Sequence, residues 1–140
     1  MAVVLDRRLS SRLRWYRGPS APAAAELRLR DPGRPGCWVL HAGTELDAAR
    51  MPPFCTLLDR AVHSSAGVIV VDLRETEFLS IRIAAMLGAV KRDAWAAGVD
   101  IRLLTDSHEV ERALDLVGVR PLFRYYESLD EASGPEPGEH

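Results

Sequence analysis

The chain has two cysteines, one lysine and no long apolar run, and each shortage excludes something. Its longest apolar stretch, IAAMLGAV (83–90), is far short of the roughly 20 residues a membrane-spanning helix needs. MAVVLD at the start is too short for the apolar region of a signal peptide. The expected location is therefore the cytoplasm. Cys37 and Cys55 have no C-x-x-C spacing, and a reducing compartment disfavours a disulfide, so both are expected to be small buried hydrophobes. His41, His63, His108 and His140 have no helical pairing with other ligands. They are expected on the surface or in turns, with no metal held. The glycines at 33, 36, 43, 67, 88, 98 and 118 are scattered rather than clustered at a helix start. That excludes a phosphate-cradling loop, and no cofactor is expected.

What is present suits one α/β domain. Of the 140 residues, 47% are hydrophobic and 27% charged, enough for a core with an ordinary surface. The net charge of -2 gives no global reason for nucleic-acid binding. The charge is unevenly placed, however. Residues 1–24 carry Arg7, Arg8, Arg12, Arg14 and Arg17 against Asp6 alone, a balance of +4, and end in the linker-like GPSAPAAA. We read 1–24 as a basic, disordered arm, 25–132 as the domain, and 133–140 as an acidic, Gly/Pro-containing disordered tail. Trp15 and Tyr16 among the arginines would suit stacking on nucleic acid or an anionic lipid surface. The short arm and neutral domain favour a plain tail over that reading.

Periodicity orders the elements. ELRLR (26–30) alternates as an edge strand, DPGRPG turns, and CWVLHA (37–42) returns as the second strand of a hairpin. GTELDAARMPP (43–53) reads as loop. Phe54, Leu57, Leu58, Ala61 and Val62 predict a helix over about 53–65. VIVVDL (68–73) does not alternate, as expected of a central strand covered on both faces. RETEF connects it to a helix from about 81 to 97, with Ile83, Met86, Leu87, Val90, Ala94 and Ala97 on one stripe and Gly98 at its end. VDIRLLT (99–105) alternates as a strand. DSHEVERALDLVG (106–118) is a helix opened by Ser107 with an imperfect capping box, its stripe formed by Val110, Leu114 and Val117. LFRYY (122–126) predicts a last short strand and SLDEA a helical turn. The order β-β-α-β-α-β-α-β predicts a mixed sheet of four to five strands with right-handed β-α-β crossovers.

Few residues offer chemistry. A response-regulator receiver would need acids at its first strand and a lysine late in the sheet, whereas Lys91 lies on a helix. Ser80, in FLSIR, lacks the glycines of a G-x-S-x-G nucleophile elbow. Asp72 lies inside a buried strand and needs a partner, with Arg74 or a helix start as the plain answer. Ser80 reads as a helix N-cap, with a phosphoacceptor or a docking contact as the other readings. Arg82, a cation in a first helical turn, opposes the helix dipole. That points to an acidic partner surface or anion, or to a bond with a loop carbonyl, Glu75 or Glu77. No enzyme activity is expected.

Three segments in order resemble the STAS domain of bacterial anti-sigma factor antagonists. GTELD (43–47) resembles the family's G-E-L-D with one extra residue, and VIVVDLRETEFLS (68–80) its strand and approach to the switch site. GVDIRLLTDSHEVERALDLVGVRPLFRYYESLDEA (98–132) resembles the closing strand, helix and short strand. The resemblance covers about 25–132. It implies a transcription-regulating binding module that docks on a kinase-type anti-sigma factor and is switched off when that kinase phosphorylates a Ser or Thr opening the second helix. The family's D-S-S-G or D-S-T-G falls here on Ser80, Ile81, Arg82 and Ile83. The usual acceptor position is thus Ile81, which has no hydroxyl, and the usual phosphorylation switch is expected to be missing. The implied partner-binding residues are Glu45, Asp47, Thr76, Glu77, Ser80, Ile81, Arg82, Ala85 and Met86. The alternatives are a partner subunit for the ATPase of a lipid-transporting ABC system, which also uses STAS-type domains, and a small hydrolase using Ser80.

Overall fold

Strand β1 (Arg28–Arg30) pairs antiparallel with β2 (Cys37–His41), and the hairpin forms one edge of a mixed sheet. The structure is a computed structural model that describes residues 27–64 and 66–134. The basic arm at 1–24 and positions 135–140 of the acidic tail lie outside the described residues. A two-residue strand, β3 (Glu45–Leu46), and a 3-10 turn (Ala48–Arg50) lead into α1 (Met51–Val62). Then follow β4 (Val68–Asp72), β5 (Phe78–Leu79), α2 (Ile81–Ala96), β6 (Asp100–Leu104) and α3 (His108–Leu116). A 3-10 turn (Arg120–Leu122), β7 (Tyr125–Tyr126) and α4 (Leu129–Ser133) complete the order.

The five-stranded sheet runs β1-β2-β4-β6-β7, parallel at every step after the hairpin. Ile69 and Val71 of β4 enter a core filled by α1, α2 and α3, including Phe54, Leu57, Ile83, Leu87, Val110 and Leu114. Val70 faces the other way, into a smaller cluster with Val39, Leu104, Tyr126 and the α4 residue Ala132. Cover on both faces explains why β4 carries an unbroken apolar run. The hairpin, the α/β order and the helical turn at SLDEA match the expectation, with β3 and β5 added.

Several local readings change. Segment 43–53 is not all loop, since β3, a 3-10 turn and the start of α1 occupy it. Helix α1 starts at Met51, before the expected 53, because Pro52 and Pro53 lie in the first turn, where no N–H is needed. It stops at Val62 rather than 65, where the Ser64 hydroxyl donates to the Ala61 carbonyl at 2.6 Å. Cys37 is buried as expected, Cys55 is only half-buried, and both thiols are free. Burial pushes both thiols up from their ordinary value. Ala97 is exposed rather than part of the α2 stripe, because the helix ends at Ala96 and Gly98 turns the chain at φ +86.

The strand over 99–105 does not alternate in burial: all five residues of β6 are buried. Asp100 and Arg102 point into the protein and neutralise each other, with Arg102 Nε donating to Asp100 Oδ2 at 3.0 Å. Lys91 Nζ contacts the other Asp100 oxygen and donates to the Ile101 carbonyl at 3.0 Å. Arg102 Nη1 also donates to the Ala132 carbonyl at 3.0 Å, tying α4 to the sheet.

Gly88 is required by a close approach. A Cβ there would meet Val119 Cγ1 at 2.4 Å and Val119 Cβ at 3.0 Å. A rotamer change could move the first atom but not the second. Gly88→Ala is therefore expected to destabilise by about 1–2 kcal/mol, the overpacking cost outweighing a helix-propensity gain of up to about 1 kcal/mol. A lowered urea midpoint with an unchanged slope, and a smaller loss when Val119 is also Ala, would verify this.

Candidate functional site

The parallel strands β2, β4 and β6 deliver their C-terminal ends to one edge of the sheet, where open α/β sheets commonly bind their ligands. Here the chain builds a small second layer. Parallel pairing joins Glu45 to Phe78 and Leu46 to Leu79, so β3 and β5 form a two-stranded ribbon. Glu77 N donates to the Thr44 carbonyl at 2.7 Å, and Ser80 N to the Leu46 carbonyl at 2.8 Å. The Thr76 hydroxyl donates to the Gly43 carbonyl at 2.7 Å. Together these bonds place the start of α2 at the end of the ribbon.

Ser80 is the N-cap of α2, its backbone extended and its hydroxyl accepting from Arg82 N at 3.1 Å. Such a cap is worth about 1 kcal/mol. Ser80 is 9% exposed, and among the described residues no histidine bonds to it. Ile81 and Arg82, the next two residues, are exposed.

The ribbon and the first turns of α2 present one surface. Phe78 is 51% and Ile81 54% exposed, two of the four exposed large hydrophobics among the described residues. Glu45, Glu77, Arg82 and Ala85 are also exposed, while Asp47 and Met86 are half-buried. The Arg82 side chain has no ion-pair partner among the described residues, so neither Glu75 nor Glu77 neutralises it. Of the residues expected at the site, the geometry thus brings Glu45, Glu77, Ile81, Arg82 and Ala85 to the exterior. Thr76, also expected there, is only 2% exposed, and its hydroxyl braces the turn from inside. Phe78 was missed. In a two-residue strand beside a buried Leu79 it must face out, and the F-L pair was the available signal.

Behind this surface lies a buried polar cluster. His41 is 7% exposed, not a surface or turn residue. Its Nδ1 is 3.4 Å from Asp72 Oδ2, and its Nε2 is 3.5 Å from Glu75 Oε1. Arg74 supplies the partner Asp72 needed: Nε and Nη2 donate to its two oxygens at 3.0 Å each, and the Arg74 backbone N donates to Oδ1 at 3.1 Å. Burial alone would raise the Asp72 carboxyl, but the hydrogen bonds from His41 and Arg74 outweigh it and hold it well below the usual carboxylate range. Because the folded value is depressed, Asp72 contributes its full stability above the unfolded carboxylate value of about 4 and loses it as pH falls below that. Unfolding midpoints from pH 6 to 2.5 should therefore fall less steeply in Asp72→Asn than in wild type. No group of three metal-ligating side chains occurs among the described residues.

The STAS domain family model matches residues 28–132. The chain belongs to the STAS domain family. Its fold is similar to that of the anti-sigma factor antagonist SpoIIAA in its unphosphorylated form, with a TM-score of 0.64 and 18% identity over 76% of this chain and 91% of that one. The phosphorylated form of the Bacillus cell fate determinant SpoIIAA gives 0.60 and 17% identity over 76% and 95%. An anti-sigma factor antagonist from Mycobacterium paratuberculosis gives 0.56 and 24% identity over 81% and 95%. No curated protein sequence matches. No helix among the described residues is long and apolar enough to cross a membrane.

Proposed function

We propose that this protein is a cytoplasmic anti-sigma factor antagonist that binds a kinase-type anti-sigma factor through the ribbon and the start of α2, and that it lacks the usual phosphorylation switch. The observation that carries the proposal is Ile81, the first residue of α2, 54% exposed and three residues after an exposed Phe78. Two exposed large apolar residues, with Glu45 paired to Phe78 in the ribbon and Glu77 and Arg82 next to them in the chain, have the composition of an interface centre with a polar rim. The family resemblance puts the phosphoacceptor at this position, where no hydroxyl exists. SpoIIAA is known in unphosphorylated and phosphorylated forms, so the fold itself accommodates the modification.

Phosphate at a helix start is well tolerated by the helix, but adding a charge of about -1.5 to -2 within a docked surface opposes binding. Removing the acceptor leaves the binding face permanently competent. Ser80 does not replace it in this reading, because its hydroxyl caps the helix.

Intact mass after incubation with ATP and the kinase-type anti-sigma factor of the host tests this. Wild type is expected to keep its mass, and Ile81→Ser, which restores the hydroxyl, to gain about 80 Da, one phosphoryl group. A stoichiometric gain on Ser80 of the wild type would refute the missing switch.

A further inference from the structure

A pocket of about 410 Å3 opens against the C-terminal half of α2, lined by Lys91, Arg92, Trp95, Asp100, Leu122 and Arg124. Trp95 follows Lys91 by four positions and Arg92 by three, so both cations neighbour the indole on the helix surface. Ile81 opens the same helix roughly 21 Å from Trp95 along its axis. The pocket therefore stands apart from the ribbon face.

Trp95 is 61% exposed, yet one side of it is held in place. Lys91 Nζ lies 5.4 Å from the centre of its ring. That ammonium contacts Asp100 and donates to the Ile101 carbonyl at 3.0 Å, so it is itself fixed to β6. Half-buried Leu122 adds apolar surface to the same pocket. An indole already held in position loses little freedom when a partner covers it, and tryptophan is among the side chains that most often carry binding energy.

The rim is positive. Arg92 and Arg124 are exposed, and Arg92 has no ion-pair partner among the described residues. Asp100, the acid in the lining, is already engaged by Lys91 and Arg102. An occupant must therefore bring an apolar side chain with carboxylates beside it. Nucleic acid fits less well: a duplex carries a charge about every 1.7 Å, and two exposed arginines would meet few of them. We propose that this pocket is a second docking site, for an acidic peptide segment of a partner protein. Its apolar side chain would seat on Trp95 and Leu122, and its carboxylates on Arg92 and Arg124. The inference does not depend on what the ribbon face binds.

The experiment selects short random peptides from a display library on the full-length protein, then measures the leading peptide by fluorescence anisotropy. Selected sequences are expected to carry Asp or Glu beside Leu, Phe or Trp. Trp95→Ala should weaken the leading peptide about 30-fold, and Arg92→Glu/Arg124→Glu about tenfold or more. Added salt should weaken its binding to wild type. Ile81→Glu should bind it as wild type does, which separates this pocket from the ribbon face. Trp95 is exposed, so Trp95→Ala should keep the thermal midpoint of wild type. Selected peptides without acids, equal affinity of Trp95→Ala, or loss of binding in Ile81→Glu would overturn the proposal. So would oligothymidylate that binds more tightly than the peptide and depends on Trp95, since nucleic acid would then be the occupant. Self-association abolished by Trp95→Ala would also overturn it, by assigning the pocket to a second copy of this chain.

Discussion

Asp100→Ala is expected to lower stability by about 3–5 kcal/mol, a large share of the 5–15 kcal/mol typical of a whole domain. The reason is the set of charges left behind. Asp100 accepts from Arg102 on one oxygen and contacts Lys91 on the other, and the Arg102 side chain is only 4% exposed. Without the carboxylate, a guanidinium stays buried with carbonyl partners only. Leaving a buried charge unpaired is far more costly than losing one exposed ion pair. The double substitution Asp100→Ala/Arg102→Met should recover part of the loss, because it removes the more deeply buried of the two stranded cations and keeps apolar volume in the site, while Lys91, 13% exposed, stays without its carboxylate. Urea unfolding of wild type, the two singles and the double completes the cycle. Additive losses across it would show that the two residues do not act as a pair.

The second large effect concerns binding rather than folding. Ile81→Glu is expected to weaken partner binding by about 2 kcal/mol or more, roughly 30-fold, the size expected when the centre of an apolar contact is replaced by a charge. Folding should be unaffected. Ile81 is 54% exposed and opens α2, where an acid interacts favourably with the helix dipole by about 0.3–1 kcal/mol. This opposition of signs separates the two effects: the variant should be as stable as wild type or slightly more so, yet bind poorly. Arg82→Glu offers a second probe of the same face, since its side chain has no internal ion pair to lose among the described residues. A thermal midpoint for each variant, taken beside its affinity, distinguishes an interface residue from a structural one.

Much of the fold was legible because it rests on local signals. The unbroken VIVVDL run marked the central strand, and Phe54, Leu57, Leu58 and Ala61 marked the buried face of α1. Ser80 and Ser107 both proved to be caps. What escaped the sequence depends on distant partners. Asp100 and Arg102 alternate with Ile101 and Leu103 just as a half-exposed strand would, and only Lys91 and the α4 carbonyls reveal that both charges are buried. His41 resembled a surface residue because Asp72 and Glu75, more than thirty positions away, are what bury it usefully. Strands of two residues, such as β3 and β5, carry no periodicity at all, so the sequence does not show that Thr76 is buried and Phe78 exposed. At the proposed binding face, departures from the family's D-S-S-G could be seen residue by residue. The outward placement of Ile81 required the ribbon.

The most direct measurement is affinity co-purification of the tagged full-length protein from its host in the presence of ATP, with Ile81→Glu in parallel. Wild type should retain a kinase-type anti-sigma factor through ATP-containing washes and show no added phosphate, while Ile81→Glu should lose that partner. Equal retention by both forms would contradict the proposed face. Release of the wild type by ATP, with phosphate on Ser80, would contradict the missing switch.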